Sequence, residues 1–98
     1  MEIKVHSIHF KADQKLLEFI HEKTEKLQLL FDSIIVGEVF LRLDKNSEKE
    51  NKIAEIKINM PGKELFAKKQ CKTFEESVDL CIDALKSQVK KHKEKLVN

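Results

Sequence analysis

Hydrophobic and polar residues follow two different periods along the first third of the chain. Over residues 1–10 they alternate, with Ile3 and Val5 set between charged or polar neighbours, which predicts a half-buried strand. Over residues 12–31 the apolar spacing changes to three and four residues, which predicts an amphipathic helix. Asp13 stands where the N-cap of this helix is expected.

Three more strands are predicted in the middle of the chain, over residues 34–43, 53–60 and 65–71. The polar stretch 44–52 separates the first two as a hairpin loop, and Pro61-Gly62 is the strongest turn signal in the sequence. Because such short connections join antiparallel neighbours, these strands should form a meander.

The last quarter of the chain predicts a long second helix. Thr73 and Glu76 match a capping box, in which the hydroxyl and the carboxylate each accept from the other residue's backbone amide. Residues 74–96 contain no Gly or Pro. Their apolar members repeat at the spacing of one buried stripe, at Phe74, Val78, Cys81, Ile82, Leu85, Val89 and Leu96.

The predicted element order is β-α-β-β-β-α, an α+β fold in which a four-stranded sheet carries both helices on one face. Each helix has a single apolar stripe, so the other face of the sheet should stay in contact with water. The residues predicted to lie there are charged or polar: Glu38, Arg42, Glu55, Lys57, Lys68 and Gln70. A chain of 98 residues without a linker or repeat is expected to form one domain over residues 1–98.

Charged residues make up 37% of the sequence but nearly cancel, leaving a net charge of +2. Their distribution matters more, because acids crowd the first half of the last helix and lysines crowd its second half. No apolar run reaches the roughly 18 residues that a membrane-spanning helix needs, and the N-terminus does not resemble a signal peptide, so a cytoplasmic protein is expected. Cys71 and Cys81 are too few for a disulfide framework and are expected to be buried thiols.

The lysines at the end of the last helix are the main candidates for function. At helical spacing, Lys86, Lys90 and Lys93 lie on one side, and Lys91 and Lys95 lie on the adjacent side. A fixed row of cations suits a polyanion, and RNA phosphate is the first candidate partner. Lysine predominates over arginine, which favours contacts to phosphate over the reading of base edges. Lysines of the first helix and the fourth strand could extend this patch: Lys23, Lys26, Lys63, Lys68, Lys69 and Lys72.

Plainer explanations stay open for these features. Cations at a helix C-terminus and acids at its N-terminus complement the helix dipole, and surface lysines also keep small proteins in solution. Phe40 and Phe66 fall on the open sheet face by parity, where they could stack on bases, but they could instead pack at the sheet edges or in the core.

The sequence offers little for metal binding or catalysis. His6 and His9 have a metal-like spacing, but residues three apart on a strand point to opposite faces. Asp79 and Asp83 share a helix face and could act as acid and base, yet a solvated acidic face explains them more simply. No phosphate-binding glycine loop or nucleophile motif is present, so no enzyme activity, cofactor, metal or small-molecule substrate is expected.

The end of the last helix carries the run Lys90-Lys-His-Lys-Glu-Lys95, preceded by Gln88 and by Asp79-x-x-x-Asp83. Together with the element order, this run resembles the ribosome hibernation-promoting factor / ribosome-associated inhibitor family in its short, single-domain form. The opening strand and the Pro61-Gly62 turn belong to the same resemblance, which covers nearly the whole chain.

The resemblance implies a fold similar to the double-stranded RNA-binding domain and a cytoplasmic protein that inhibits translation under stress or in stationary phase. It implies binding to the small ribosomal subunit in the mRNA and tRNA channel, by a chain that is monomeric off the ribosome. Ser87 stands where members often carry Arg or Lys, and Ser7-Ile-His9 lacks a common Gly-Arg pair. The residues expected to contact ribosomal RNA are Lys23, Lys26, Lys68, Lys69, Lys86, Lys90, Lys91, His92 and Lys93.

Two other functions stay open on the sequence. A general double-stranded RNA-binding accessory protein would need the same cationic surface. A small enzyme or a protein-interaction domain would instead use the acidic face around Glu76, Asp79 and Asp83.

Overall fold

The computed structural model describes residues 2–97, with side chains described through Lys95. Within this range the elements are β1 (Glu2–Ser7), α1 (Gln14–Leu30), β2 (Val36–Leu43), β3 (Lys52–Met60), β4 (Lys63–Cys71) and α2 (Phe74–Val97). The predicted order β-α-β-β-β-α is therefore confirmed. Met1 and the side chain of Leu96, which the predicted strand and apolar stripe included, lie outside the described part.

The strands of residues 2–97 form one sheet in the order β1-β2-β3-β4. β1 runs parallel to β2, so the chain needs the α1 crossover between them, whereas β2, β3 and β4 pair antiparallel through short connections. The register places Val5 beside Val39, Val39 beside Ile56, and Ile56 beside Ala67. One apolar row therefore crosses the whole sheet on the side that the helices cover.

The core lies between this side of the sheet and the two helices of the described range. Its most deeply buried side chains come from strands and from both helices: Val39, Leu41, Ile56, Ile58, Ile20, Leu27, Val78, Leu85 and Val89. Both helices therefore pack on one face, as predicted. Cys71 and Cys81 are buried free thiols, and burial raises the pKa of the Cys81 thiol to about 12.

Local chemistry explains where β1 ends and where α1 begins. The strand predicted over residues 1–10 stops at Ser7, and His9 adopts a φ of 64° as the chain turns toward the helix. Phe10 then returns to the core and stacks on Phe74, with ring centroids 5.0 Å apart. α1 starts at Gln14 because the Asp13 carboxylate accepts the backbone N–H of Leu16 at 2.8 Å, which confirms the predicted N-cap.

The start of α2 shows half of the predicted capping box. The Thr73 hydroxyl oxygen accepts the backbone N–H of Glu76 at 3.1 Å. Among the described residues, the Thr73 amide has no hydrogen bond to the Glu76 carboxylate, so the reciprocal half is absent there. The first turn still carries Glu75 and Glu76, which complement the positive end of the helix dipole.

The face of the sheet away from the helices is charged, as predicted. The register places Phe40 beside Glu55 and Glu55 beside Lys68, and it also places Lys57 beside Phe66. Both phenylalanines therefore lie on this open face and not in the core. Gln70, on the same face, donates to the Asp44 carboxylate at 2.9 Å and to the Glu50 carbonyl at 2.7 Å, and these bonds tie the hairpin loop to β4.

Candidate nucleic-acid interface

The rotation of α2 about its axis is set by three side chains that bond to the backbone of the sheet. The Ser77 hydroxyl donates to the Lys52 carbonyl at 2.7 Å, and the Cys81 thiol donates to the Ala54 carbonyl at 3.3 Å. Farther along, the Gln88 amide donates to the Phe66 carbonyl at 2.9 Å. Because these bonds and the buried stripe all lie on one side of the helix, the remaining positions point in defined directions.

The lysines of α2 consequently fall on two flanks. At about 100° per residue, one flank presents Lys86, Lys90 and Lys93 toward the end of α1, and we call it the α1-side flank. The other presents Lys91 and Lys95 toward β4, and we call it the β4-side flank. Lys86 and Lys90 line one cleft and Lys91 and Lys95 line another, which agrees with the predicted division between two sides of the helix.

The α1-side flank borders a cleft of about 420 Å³ between the end of α1 and α2. Leu30 and Phe31 supply its apolar wall, and the α2 residues that line it are Asp83, Lys86, Ser87 and Lys90. Lys93 lies close by, with its Nζ 5.0 Å from the centroid of the Phe31 ring. This cation–π contact holds one ammonium group against the end of α1.

The β4-side flank borders a smaller cleft of about 180 Å³. Lys63 at the start of β4 lines it together with Lys91 and Lys95 of α2, and the half-buried side chains of Gln88 and His92 complete its polar lining. Three lysines therefore line one cleft, and this concentration of cationic side chains suits a phosphate group. The sequence names Lys63 as a possible extension of the cationic patch but does not place it in the set expected to contact ribosomal RNA.

Other lysines in the expected set are already engaged with carboxylates. Lys23 Nζ lies 3.2 Å from Asp79 Oδ1 of α2 and 5.5 Å from the centroid of the Phe19 ring. Lys26 Nζ lies 3.8 Å from Glu22 Oε1. By contrast, within the described residues no carboxylate lies within 4.0 Å of the α2 lysines Lys86, Lys90, Lys91 and Lys93. The α2 lysines therefore carry the charge most available to a polyanion.

Lys68 and Lys69 do not belong to the same surface. Neighbours on a strand point to opposite faces, so exposed Lys69 lies on the helix side of β4, whereas Lys68 lies on the open face. There the Lys68 ammonium is 3.9 Å from Glu55, which also contacts the Arg42 guanidinium. The structure thus brings Lys86, Lys90, Lys91, His92 and Lys93 together on α2 and separates Lys68 from them.

The open sheet face carries two aromatic side chains in different settings. Phe40 stacks on His6, with ring centroids 4.8 Å apart and an interplanar angle of 16°. His6 in turn lies 3.2 Å from the Glu38 carboxylate. Phe66 is 48% exposed on the edge strand β4. One ring is thus held by a neighbour, and the other is open to solvent.

Within the described residues, no group of three or more His, Cys, Asp or Glu side chains could hold a metal ion. The same part of the chain contains no helix long and apolar enough to cross a membrane.

Comparison with known proteins places this arrangement in a family. The family model described as "Sigma 54 modulation protein / S30EA ribosomal protein" matches residues 3–97. The chain belongs to this family. It is also 28% identical to a ribosome hibernation promoting factor of Pseudomonas putida, over 97% of this chain and 89% of the relative. A protein of the same name from Klebsiella oxytoca is 27% identical, over 98% of this chain and 97% of the relative.

Solved structures show the same fold at lower identity. A ribosomal subunit interface protein from Coxiella burnetii superposes with a TM-score of 0.86 at 22% identity, covering 96% of this chain and 99% of that one. The N-terminal domain of Thermus thermophilus Protein Y superposes with a TM-score of 0.79 at 22% identity, covering 94% and 99%. The family match over residues 3–97 includes α2, the element that carries both lysine flanks.

Proposed function

We propose that this S30EA family chain is a ribosome hibernation factor, located with ribosomes in the cytoplasm. In this proposal it binds the small ribosomal subunit through α2 and blocks translation by occupying the channel for mRNA and tRNA. Family membership and the names of the curated relatives support the hibernation role. The single structural observation that carries the contact surface is the pair of lysine flanks on α2.

The shape of α2 suits a rigid contact with folded RNA. The helix has 24 residues and is about 36 Å long at 1.5 Å per residue. Bonds from Ser77, Cys81 and Gln88 to the sheet hold it in place, so the backbone that carries its lysines is already ordered before they meet phosphate. Preorganised charges of this kind bind with a smaller entropic cost than flexible ones.

The principal contacts in this proposal are Lys86, Lys90, Lys91, His92 and Lys93, with Lys63 lining the same cleft as Lys91. Lys69 is a further contact on the helix side of β4. Lys23, Lys26 and Lys68 are secondary, because each must first exchange a nearby carboxylate for phosphate. Exposed ion pairs are worth about 0–1 kcal/mol, so this exchange is a modest cost. Binding should follow RNA shape and phosphate position and not base sequence.

Counterion release supplies the main driving force for such a contact. The logarithm of the affinity should fall with the logarithm of the salt concentration by roughly 0.7–0.9 for each phosphate neutralised. Cosedimentation of the purified chain with small ribosomal subunits at several salt concentrations measures this slope. A salt-independent affinity would contradict the proposed contact.

The decisive variant combines Lys90→Glu, Lys91→Glu and Lys93→Glu. It should lower subunit affinity by about 100-fold or more, because three attractive contacts become repulsive. Thermal unfolding should change little, since all three side chains are exposed. The matched control reverses Lys15, Lys45 and Lys49, which are also exposed but lie outside α2, and makes the same change in net charge.

Competition separates this function from general binding of double-stranded RNA. A hibernation factor should prefer intact small subunits to free duplex RNA and should be displaced by tRNA and mRNA. Equal affinity for free duplexes, with no displacement by tRNA, would favour the accessory RNA-binding protein instead.

A further inference from the structure

The cleft on the α1-side flank has an apolar wall as well as lysines. A contact with phosphate alone requires only the lysines. Its volume of about 420 Å³ falls within the roughly 300–1,000 Å³ typical of small-ligand sites. Leu30, at the end of α1, is 57% exposed and forms part of its apolar wall together with Phe31. Lys86 and Lys90 stand beside that wall.

A second cleft shows that size and apolar lining do not define this site. A cleft of about 430 Å³ lies beside Leu29, which is 86% exposed. It is lined by Glu25, Gln28 and Asp32 and contains no lysine. Two adjacent leucines therefore border clefts of similar size and opposite charge, and only the Leu30 cleft is complementary to an anion.

We propose that the Leu30 cleft holds a single unstacked nucleotide of ribosomal RNA. Its base packs on Leu30 and Phe31, and its phosphate meets the ammonium groups of Lys86 and Lys90. An unstacked base has an apolar face and a phosphate attached nearby, which matches the two kinds of wall in the cleft. This inference rests on the proposed function, because it names which element of the RNA enters one part of that surface.

Asp83 adds a preference among bases. Its carboxylate lines the same cleft and, when ionised, only accepts hydrogen bonds. It therefore favours a base edge that carries an amino donor. Cytosine presents an amino group where uracil presents a carbonyl oxygen, so the two pyrimidines differ at the group that Asp83 would meet.

The first test uses adjacent leucines as matched variants. Leu30→Ala should lower the affinity for small ribosomal subunits about five- to tenfold, because it removes apolar side-chain surface that packs against one base. Leu29→Ala should leave the affinity unchanged. Neither change removes a charge, so the salt slope should stay that of the unaltered chain. Thermal unfolding of both variants checks that the exposed leucines contribute little to stability.

The second test uses short RNA as a direct probe of the cleft. Hexacytidylate should shift the NMR signals of the Leu30 methyl groups and the Ser87 amide, and it should bind several-fold tighter than hexauridylate. Asp83→Asn should abolish this difference between the two pyrimidines, because the amide can donate as well as accept. This variant keeps Leu30 and both lysines, so it remains informative if truncation at Leu30 disturbs the helix end.

The outcomes distinguish failure of the nucleotide cleft from failure of the hibernation role. Normal subunit binding by Leu30→Ala, or shifts that avoid Leu30 and Ser87, would overturn the nucleotide cleft and leave the hibernation role intact. Failure of the unaltered chain to bind subunits would overturn both. Equal binding of the two oligonucleotides by the unaltered chain would remove the role of Asp83 and with it the proposed base preference.

Discussion

The α2 surface and the open sheet face are both rich in charge, yet they differ in how that charge is arranged. On the open face, Glu55 lies beside Arg42 and Lys68, and Glu38 lies beside His6. On α2, the lysines of both flanks face clefts and solvent without a carboxylate within 4.0 Å among the described residues. The comparison teaches that local pairing, and not the number of cations, determines which surface attracts a polyanion.

The largest expected effect comes from equal charge changes on the two surfaces. Lys90→Glu with Lys93→Glu should lower subunit affinity by about 30-fold or more, because both charges face the RNA unopposed. Lys57→Glu with Lys68→Glu should lower it by about threefold or less. Cosedimentation at one salt concentration measures both. Equal losses of affinity from the two pairs of substitutions would contradict the conclusion that local pairing determines which surface attracts RNA.

The next effect concerns the anchor that orients the α2 surface. Ser77 is fully buried and donates to the Lys52 carbonyl. Ser77→Ala leaves that carbonyl with one partner fewer and should lower the free energy of unfolding by about 1–3 kcal/mol. Urea denaturation measures this loss. Glu48→Ala in the exposed hairpin loop serves as the control and should change stability by less than about 0.5 kcal/mol.

Alkaline pH should also weaken the packing of α2 on the sheet, because Cys81 is buried there. The pKa of the buried Cys81 thiol is about 12, above its ordinary value of 9.0. Between these values the folded chain keeps a proton that the unfolded chain releases, so raising the pH favours unfolding.

Stability contributed by this thiol is fully present below pH 9 and should decline above it, by up to about 1.4 kcal/mol per pH unit. Denaturation curves between pH 8 and pH 10 measure the slope. Cys81→Ala should be less stable at neutral pH but should show a shallower decline. An identical decline in both proteins would assign the effect to other groups.

The smallest expected effect comes from removing a carboxylate from the open sheet face. Glu55→Gln removes the carboxylate that Arg42 and Lys68 share. If the ion pairs with Glu55 weaken the attraction of the open face for a polyanion, this change should raise the nonspecific affinity for single-stranded RNA. The expected increase is about two- to threefold, with a steeper salt dependence. Fluorescence anisotropy with a labelled oligonucleotide measures it. Glu64→Gln removes an acid from β4 that has no ion pair within the described residues, and it should have less effect.

Particular residues show how far the sequence could be interpreted. The apolar spacing of Leu16, Ile20 and Leu27 predicted α1 and its buried side, because a helix can bury only residues that recur every three or four positions. The turn at Pro61-Gly62 predicted the β3–β4 hairpin. The end of β1 was missed, because His9 is not a residue type that announces a left-handed turn as strongly as glycine does.

The candidate site was predicted in part. Helical spacing alone separates Lys86, Lys90 and Lys93 from Lys91 and Lys95, so the two flanks of α2 follow from the sequence. Spacing does not say that Lys63 lines one cleft with Lys91, or that Leu30 and Phe31 line another with Lys86 and Lys90. These pairs lie far apart along the chain, and only the packing of α2 between α1 and β4 brings them together.

The order of the elements, the buried stripe of each helix and the run of lysines on α2 all follow from the amino-acid sequence, since each depends on residues within a few positions of one another. Helical spacing within α1 already pairs Lys26 with Glu22, but which of the other cations stay available depends on the packing of the elements. Lys23 meets Asp79 only because α1 packs beside α2, and Lys68 meets Glu55 only through the register of β3 and β4. The physical reason is that electrostatic pairing acts over a few ångströms of space, whatever the separation along the chain.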